Sequence, residues 1–475
     1  MKIISLTLIG YRNFKLRQIH HFQYRPTLKT QLILGTNGSG KAQPLSSLVK
    51  TPGGWTKMGD LKVGSLVVAK DGSYVPVTRI HPQGLQKTYR ITFKDGRSTL
   101  ATGDHLWKIY CAQKYPIESE VVTTDEIIQR LYSDQRMKSL IWVDLIDSED
   151  SKELDLPIDP YVFGVMLGDG CFRKSNVNIT HPDEEIRLEV EKRLENGIKT
   201  VPLNLSAPNA CLVYGLTSGH YRNKKGSNYI IEFLKAVGLD RCKSFEKFIP
   251  EIYLHASTKQ RLELLQGLMD TDGYIGKQSS TSYCTTSQRL AYEVQYLVRS
   301  LGGLAVITEK NPHYTHNGDR RLGRKAYNVF IRFKTPTSLF KLSRKKERAN
   351  DNNQYAKTLR LRIESIKPAG YEECQCIEID HPDHLYVTDN FIVTHNSSTL
   401  KELSPLPAHH SDFEKEGRKE IEISHNGKHY LLQSLFGQEG NRYPFIVDGE
   451  NLNPGFTVTV YKELVKEHFN YTPEV

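Results

Sequence analysis

Apolar positions along the 475 residues come in short blocks broken by glycine, proline and charge, and no apolar run reaches eighteen residues. No membrane-spanning helix is therefore expected, and no sustained heptad repeat points to a coiled coil. Near the start a strand, a polar break and a second strand (Gln31–Leu34) run into GTNGSGK at Gly35–Lys41. Pro44, Pro52 and the Gly53-Gly54 pair then turn the chain where a helix would follow such a loop. Much later, SSTLKELSPL offers the first stretch of a helix at Thr399–Leu403. Between these lie two apolar segments of one pattern, VFGVMLGDG (Val162–Gly170) and LQGLMDTDG (Leu265–Gly273), each read as a helix stopped by Asp-Gly. Strand patterns follow at Tyr283–Thr286, Leu304–Thr308 and Tyr327–Phe333. A chain this long predicts two to four domains.

The loop at Gly35–Lys41 is GxxxxGK without its hydroxyl residue, because Ala42 follows. A phosphate-binding loop needs that hydroxyl for Mg²⁺ and a helix whose first amides hold phosphate. Both resume at Ser397, and joining Lys41 to Ser397 gives GTNGSGKSSTLKEL. In the joined chain Gly35, Asn37, Gly38, Gly40, Lys41 and Ser397 would cradle a nucleotide. Residues 42–396 are thus read as a 355-residue insertion that removes itself.

The ends of the insertion carry three blocks in order: Leu48–Val67, ATGDHLW at Ala101–Trp107, and Cys376–Asn396. These resemble the blocks of inteins, self-splicing elements with an all-β, horseshoe-like Hint fold. Asparagine before a hydroxyl residue, His395-Asn396-Ser397, suits cyclisation of Asn396 with His395 as proton relay. Ser397 would accept the upstream chain. Thr102 and His105 match the TxxH of the second block, which the resemblance assigns to polarising the upstream bond and protonating the departing amine. Ala42 breaks the pattern, since most inteins begin with Cys or Ser. Trp107, Cys376 and Thr394 resemble the set of class 3 inteins, in which the internal cysteine, here Cys376, attacks the Lys41–Ala42 junction. The competing account makes Ala42 an engineered replacement of a first-residue cysteine. Splicing needs no cofactor.

The two apolar segments resemble the motif of LAGLIDADG homing endonucleases, α+β proteins of two αββαββ repeats. Gly164 and Gly267 would let the helices pack closely, bringing Asp169 and Asp272, 103 residues apart, to one centre. Two carboxylates there would bind Mg²⁺ for double-strand cleavage. Leu167 stands where the family has its first Asp. Lys247 in KFIP matches a lysine that orients phosphate or water, and Lys334 is the weaker candidate for its second-half counterpart. Arg320, Arg321, Arg324, Lys325, Arg332 and Lys334 are the expected phosphate contacts on a strand saddle in the DNA groove. The stretch Lys341–Arg348 is read as a backbone contact or a solvated link.

Charge agrees with a nucleic-acid partner. The net charge is +10, and residues 301–350 hold twelve Lys/Arg against three Asp/Glu. Seven scattered cysteines argue against a disulfide scaffold and for a reducing cytosol, in a phage or bacterial setting. The host, 120 residues when joined, resembles the split α/β amino-terminal lobe of SMC-type recombination ATPases, closest to phage exonuclease subunits; it would take ATP and Mg²⁺ and pair with a nuclease subunit. Without a second acidic motif it is not expected to hydrolyse ATP alone. The expected division is host 1–41, splicing domain 42–150, endonuclease 151–348 (halves 157–255 and 256–348), splicing domain 349–396 and host 397–475.

Overall fold

A computed structural model describes the chain except for residues 1, 12–18, 24–41, 112–118, 134–139, 150, 174–175, 204–210, 218–227, 277–278, 317–318, 353–358, 396–405, 409–412, 438–439 and 470–475. The loop Gly35–Lys41, the proposed helix start at Thr399–Leu403, Asn396 and Ser397 lie outside the described residues.

The two ends of the chain meet in one antiparallel sheet. Strand Lys2–Tyr11 pairs with Ile19–Gln23 on one side and Phe413–His425 on the other, Thr7 opposite Glu420. Lys428–Gly437 extends the sheet to Phe445–Val447. Tyr430, Leu432, Phe445, Tyr461 and Val465 form its buried core with the helix Val458–Phe469. Strands lying on either side of the 355-residue stretch 42–396 thus share one sheet, as an insertion between parts of one domain would require.

The insertion is built from two units. Its ends make a mainly β unit, with a helix at Thr124–Ser133 where the sequence resemblance implies an all-β fold, in which two long strands, Tyr74–Phe93 and Leu361–Ile379, run antiparallel over nearly their full length. Their sheet continues through Ile141–Val143 and Leu106–Cys111 to Ser119–Thr123. Both long strands change register at several points, and such irregularities bend a strand and let one sheet serve two cores. One core gathers Ile91, Phe93, Trp107, Ile109 and Ile363. The other gathers Val49, Met58, Val67, Val77 and Ile377. A second sheet runs Ile392–His395, Leu385–Thr388, Leu48–Thr51, Gly54–Lys57. Its first strand, called here the closing strand, carries Thr394 and His395 and ends at the downstream junction.

The second unit contains, twice, a helix, two strands, a helix and two strands. The first motif helix, Pro160–Asp169, is capped by the Asp159 carboxylate on Val162 N (3.1 Å) and has proline in its first position. The second, Thr258–Thr271, begins with a reciprocal cap between Ser257 and Gln260. Each leads into a four-stranded antiparallel sheet with the same strand order, Gly170–Phe172, Val177–His181, Leu212–Thr217, Lys199–Pro202 and then Gly273–Ile275, Thr281–Thr285, Ala326–Arg332, Leu304–Lys310. The expected strands around 283, 304 and 327 therefore stand within two residues at each end. The motif helices pack against each other at their glycines: a Cβ on Gly164 would lie 2.3 Å from Leu264 O, and one on Gly267 would lie 2.3 Å from Tyr161 O. Among the described residues no helix is long and apolar enough to cross a membrane.

Candidate functional site

At the upstream junction, Ala42 is fully buried at the start of the short strand Gln43–Pro44. That strand pairs with the long return strand, Gln43 opposite Gln375 and Pro44 opposite Cys374, so Ala42 comes level with Cys376. Cys376 is itself buried. Thr102 donates to the Ala42 carbonyl from its amide (3.1 Å) and its hydroxyl (3.3 Å). These bonds grip the residue immediately downstream of the Lys41–Ala42 bond. Gln43 is fixed as well, donating to Thr99 Oγ1 (3.1 Å) and accepting from the Tyr386 hydroxyl (2.7 Å). Tyr386 is buried beside Cys376, and burial followed by that cysteine's charge pushes its pKa well up.

His105 joins this junction to the other. Its Nε2 makes a short hydrogen bond with Thr394 Oγ1 on the closing strand. The Trp107 ring meets the His105 ring edge-on at 5.2 Å, and Trp107 Nε1 donates to Thr124 Oγ1 at 3.0 Å. Thr124 in turn donates to the His105 carbonyl from its amide (2.9 Å) and its hydroxyl (3.3 Å). Trp107 is completely buried and packs against the His105 loop, tied to it through one hydrogen bond, to Thr124. His395, next to Thr394, is also buried, with its ring 6.0 Å from that of His384. Thr102, His105, Trp107, Thr394, His395 and Cys376 thus lie around the two chain junctions of one unit. Thr124, Gln43 and Tyr386 belong to the same network but carry no motif spacing, and only the fold reveals them.

In the other unit, Asp169 ends the first motif helix and Asp272 follows the second as its terminal cap residue. Burial, and then the charge of Asp272, push the Asp169 pKa up to about 7. Burial raises Asp272 too. Under each helix end sits a buried lysine. Lys247 Nζ donates to the carbonyls of Met166, Leu167, Gly168 and Gly170 at 2.7–3.2 Å. Lys345 Nζ does the same for Met269, Asp270, Thr271 and Gly273 at 2.7–3.2 Å. Burial lowers both lysines to about 8, while the two aspartates pull the other way.

Two expectations change here. The second-half counterpart of Lys247 is Lys345, not Lys334, which is exposed beyond the end of the strand Ala326–Arg332. The stretch Lys341–Arg348 is no solvated link: Lys345 is 5% exposed, and its neighbours Ser343 and Arg344 bond Glu185 and Asp183 of the first half (2.7 Å each). Spacing held the clue, since Lys345 follows Asp272 by 73 residues and Lys247 follows Asp169 by 78. The halves also differ. Asp270, in the position of Leu167, accepts from the Tyr161 hydroxyl (2.9 Å) and from the amides of Lys341 and Leu342. His181 Nε2 stands 3.7 Å from Asp169 Oδ2 in the first half, and sequence reasoning missed it.

All six candidate DNA contacts lie in the second half. Arg320 and Arg321 sit on an exposed hairpin strand, Asp319–Leu322. Arg324 stacks its guanidinium 3.5 Å over the Phe245 ring, and Lys325 pairs with Glu309 at 2.7 Å. Arg332 and Phe330 project from the sheet face into a cleft of about 1200 Å³ whose other wall is Trp142, Arg360 and Arg362 of the β unit.

Comparison with known proteins bears on the second half of the second unit. Residues 259–332 match the LAGLIDADG-like domain. That stretch covers most of the second motif helix and all four strands of the second sheet. Among curated proteins, the chain is 28% identical over 397 residues to the replicative DNA helicase DnaB of Mycobacterium intracellulare, covering 78% of this chain and 60% of that protein. It is 31% identical over 171 residues to the ATP-dependent DNA helicase Hel308 of Thermococcus kodakarensis, covering 34% of this chain and 14% of that one. The chain thus spans less than two thirds of the curated relatives it matches. A match over 78% of the chain falls mostly within residues 42–396, because the flanks together hold only 120 residues. Among solved structures, the MchDnaB-1 intein aligns with 74% of this chain and 99% of its own at 11% identity and a TM-score of 0.23.

Proposed function

We propose that residues 42–396 excise themselves, joining Lys41 to Ser397, and that the LAGLIDADG-like unit within them cuts double-stranded DNA at specific sites. The observation that carries the splicing reading is the register at the upstream junction, with the buried Cys376 thiol level with Ala42 in a network that reaches His105 and Thr394. The Cys376 thiolate attacks the Lys41 carbonyl carbon, and the bond to the Ala42 nitrogen breaks. Thr102 holds the Ala42 peptide while His105 protonates the departing amine, leaving residues 1–41 as a thioester. The Ser397 hydroxyl takes the acyl group and frees the thiol. The Asn396 side-chain nitrogen then attacks its own main-chain carbonyl, with His395 relaying the proton, and closes a succinimide as the amine of Ser397 leaves. That amine captures the ester and forms the Lys41–Ser397 amide. This order of steps is the one proposed for a chain whose first inserted residue, Ala42, has no nucleophile.

For the nuclease, Asp169 and Asp272 fit a divalent cation by their chemistry: partial burial and then the charge of Asp272 push Asp169 up to about 7, and positive charge between them would relieve both. A bound Mg²⁺ would lower the pKa of a water and stabilise the leaving oxygen of a phosphodiester. Lys247 and Lys345 are fully engaged with helix carbonyls, so the reading gives them the task of fixing the two aspartates rather than binding phosphate. Arg320, Arg321, Arg324, Lys325, Arg332 and Lys334 track the DNA backbone. The host, an ATP-binding lobe of a recombination ATPase, remains part of the proposal.

Splicing is tested on an Asn396→Ala chain, which stops after the first acyl transfers. Hydroxylamine or thiol should release residues 1–41, and the added change Cys376→Ala should abolish that release. Release that persists without Cys376 would contradict the route. The nuclease reading predicts Mg²⁺-dependent cutting of DNA carrying the uninterrupted host gene. Asp169→Asn and Asp272→Asn should each reduce cutting by at least a hundredfold, and an uncut target with the parent chain would count against it.

A further inference from the structure

The nuclease unit touches the splicing unit at one place that leads directly to the downstream junction. Asp389, Asn390 and Phe391 form the turn just before the closing strand Ile392–His395. Asn390 and Phe391 both have left-handed backbone, φ 56° and 64°. For a phenylalanine this costs roughly 1–2 kcal/mol, so surrounding contacts must hold the turn. From the splicing unit, Arg97 donates to the carbonyls of Asn390 (3.3 Å) and Phe391 (3.0 Å), and Trp55 meets the Phe391 ring edge-on at 5.1 Å. Asp389 is held from the same unit, accepting from Leu48 N (2.8 Å) and Thr99 Oγ1 (2.7 Å), and further supports come from the helix Gln288–Ser300 and Gly303 of the nuclease. The Tyr296 ring closes the other side of Phe391 at 5.0 Å and 72°. Arg299 donates to the Asp95 carbonyl at 3.2 Å and lies 3.8 Å from its carboxylate, which holds Arg97 Nε at 2.7 Å. Arg97 also reaches the nuclease carbonyl of Gly303 at 3.5 Å.

We infer that Tyr296 and Arg299 of the nuclease unit are positioning residues for splicing: they brace the Asn390-Phe391 turn and so set the closing strand that presents Thr394 to His105 and His395 to the downstream junction. The inference rests on the splicing reading above. Neither side chain touches the reacting atoms. Tyr296 acts through Phe391, and Arg299 acts through Asp95 and Arg97. Arg299 and Arg97 are buried and Tyr296 is half-buried, so bulk water is poorly placed to replace a lost partner of Arg97. A splicing unit with its nuclease removed therefore loses one wall of the aromatic box and one partner of the Asp95 carboxylate.

The test has two arms in the full chain. In a chain kept intact by Cys376→Ala with Asn396→Ala, amide hydrogen exchange is followed for residues 389–395. Tyr296→Ala and Arg299→Ala should speed exchange there at least tenfold. Tyr296→Phe, which keeps the ring, should leave it unchanged, as should Tyr292→Ala on the exposed side of the same helix. In a chain with Cys376→Ala alone, cleavage at Asn396 should slow at least tenfold for Tyr296→Ala and recover with Tyr296→Phe. In the Asn396→Ala chain, thiol release of residues 1–41 should change less than threefold. Unchanged exchange at 389–395 in both alanine variants, or equal losses at the two junctions, overturns the inference. If Tyr296→Ala fails to fold, Tyr296→Leu and Arg299→Lys carry the same comparison. A parent chain that cleaves at neither junction overturns the splicing reading, and the exchange arm still decides whether the nuclease braces the strand.

Discussion

Two cysteines two residues apart behave differently because of where the return strand puts them. Cys374 stands opposite Pro44 and donates to the Glu372 carbonyl (3.3 Å), and burial with the charges of Glu372 and Glu373 raises its pKa to about 12. A thiol so protonated is a poor nucleophile at neutral pH. Cys376 is the one level with Ala42. The thiol-release assay should therefore be indifferent to Cys374→Ala, within a factor of two, and blind after Cys376→Ala. Loss of release on changing Cys374 would mean that the register is misread. At this scale the sequence was legible wherever chemistry demands a motif: Thr102, His105, Trp107, Thr394 and His395 share one neighbourhood. It was silent on residues that act by contact alone. Nothing in the spacing of Thr124, Gln43 or Arg97 announces a partner tens or hundreds of residues away, and the atom gripped by Thr102 needs backbone geometry to be known.

Among the elements, the paired motif helices carry the tightest constraint. Each glycine faces a carbonyl of the other helix, and an added Cβ would sit 2.3 Å from it. Backbone cannot yield as a side chain does, so Gly164→Ala and Gly267→Ala should each destabilise the nuclease unit by about 1–3 kcal/mol. Denaturant unfolding measures this, and a change within 0.5 kcal/mol, on the order of an ordinary surface substitution, would contradict the packing. The repeated pattern of these helices was readable because close helix approach and a shared carboxylate centre both leave marks in sequence. The lysines beneath them were half readable. Lys247 sits in a recognisable segment, whereas Lys345 lies in a run of basic residues whose composition looks like solvated surface. Only the fold turns that run inward, pairing Arg344 with Asp183 and burying Lys345 among four carbonyls.

For the whole molecule, the sequence suggested a nesting of parts through one interrupted loop. The sheet joining Lys2–Tyr11 to Phe413–His425 agrees with that nesting, since strands from the two ends of the chain pair. Domain contacts could not be read in advance, because Tyr296 and Phe391, or Arg299 and Asp95, are ordinary residues until the units dock. The +10 charge has likewise acquired an address, with six exposed or cleft-facing cations in the second half of the nuclease and Arg360 and Arg362 across the cleft. The central claim concerns the covalent fate of the chain, and the intact mass of the protein purified under reducing conditions at neutral pH tests it most directly. The account predicts two products, an excised 355-residue element and a ligated 120-residue host carrying the Lys41–Ser397 bond. Recovery of the unchanged 475-residue chain, with neither junction broken, would contradict it.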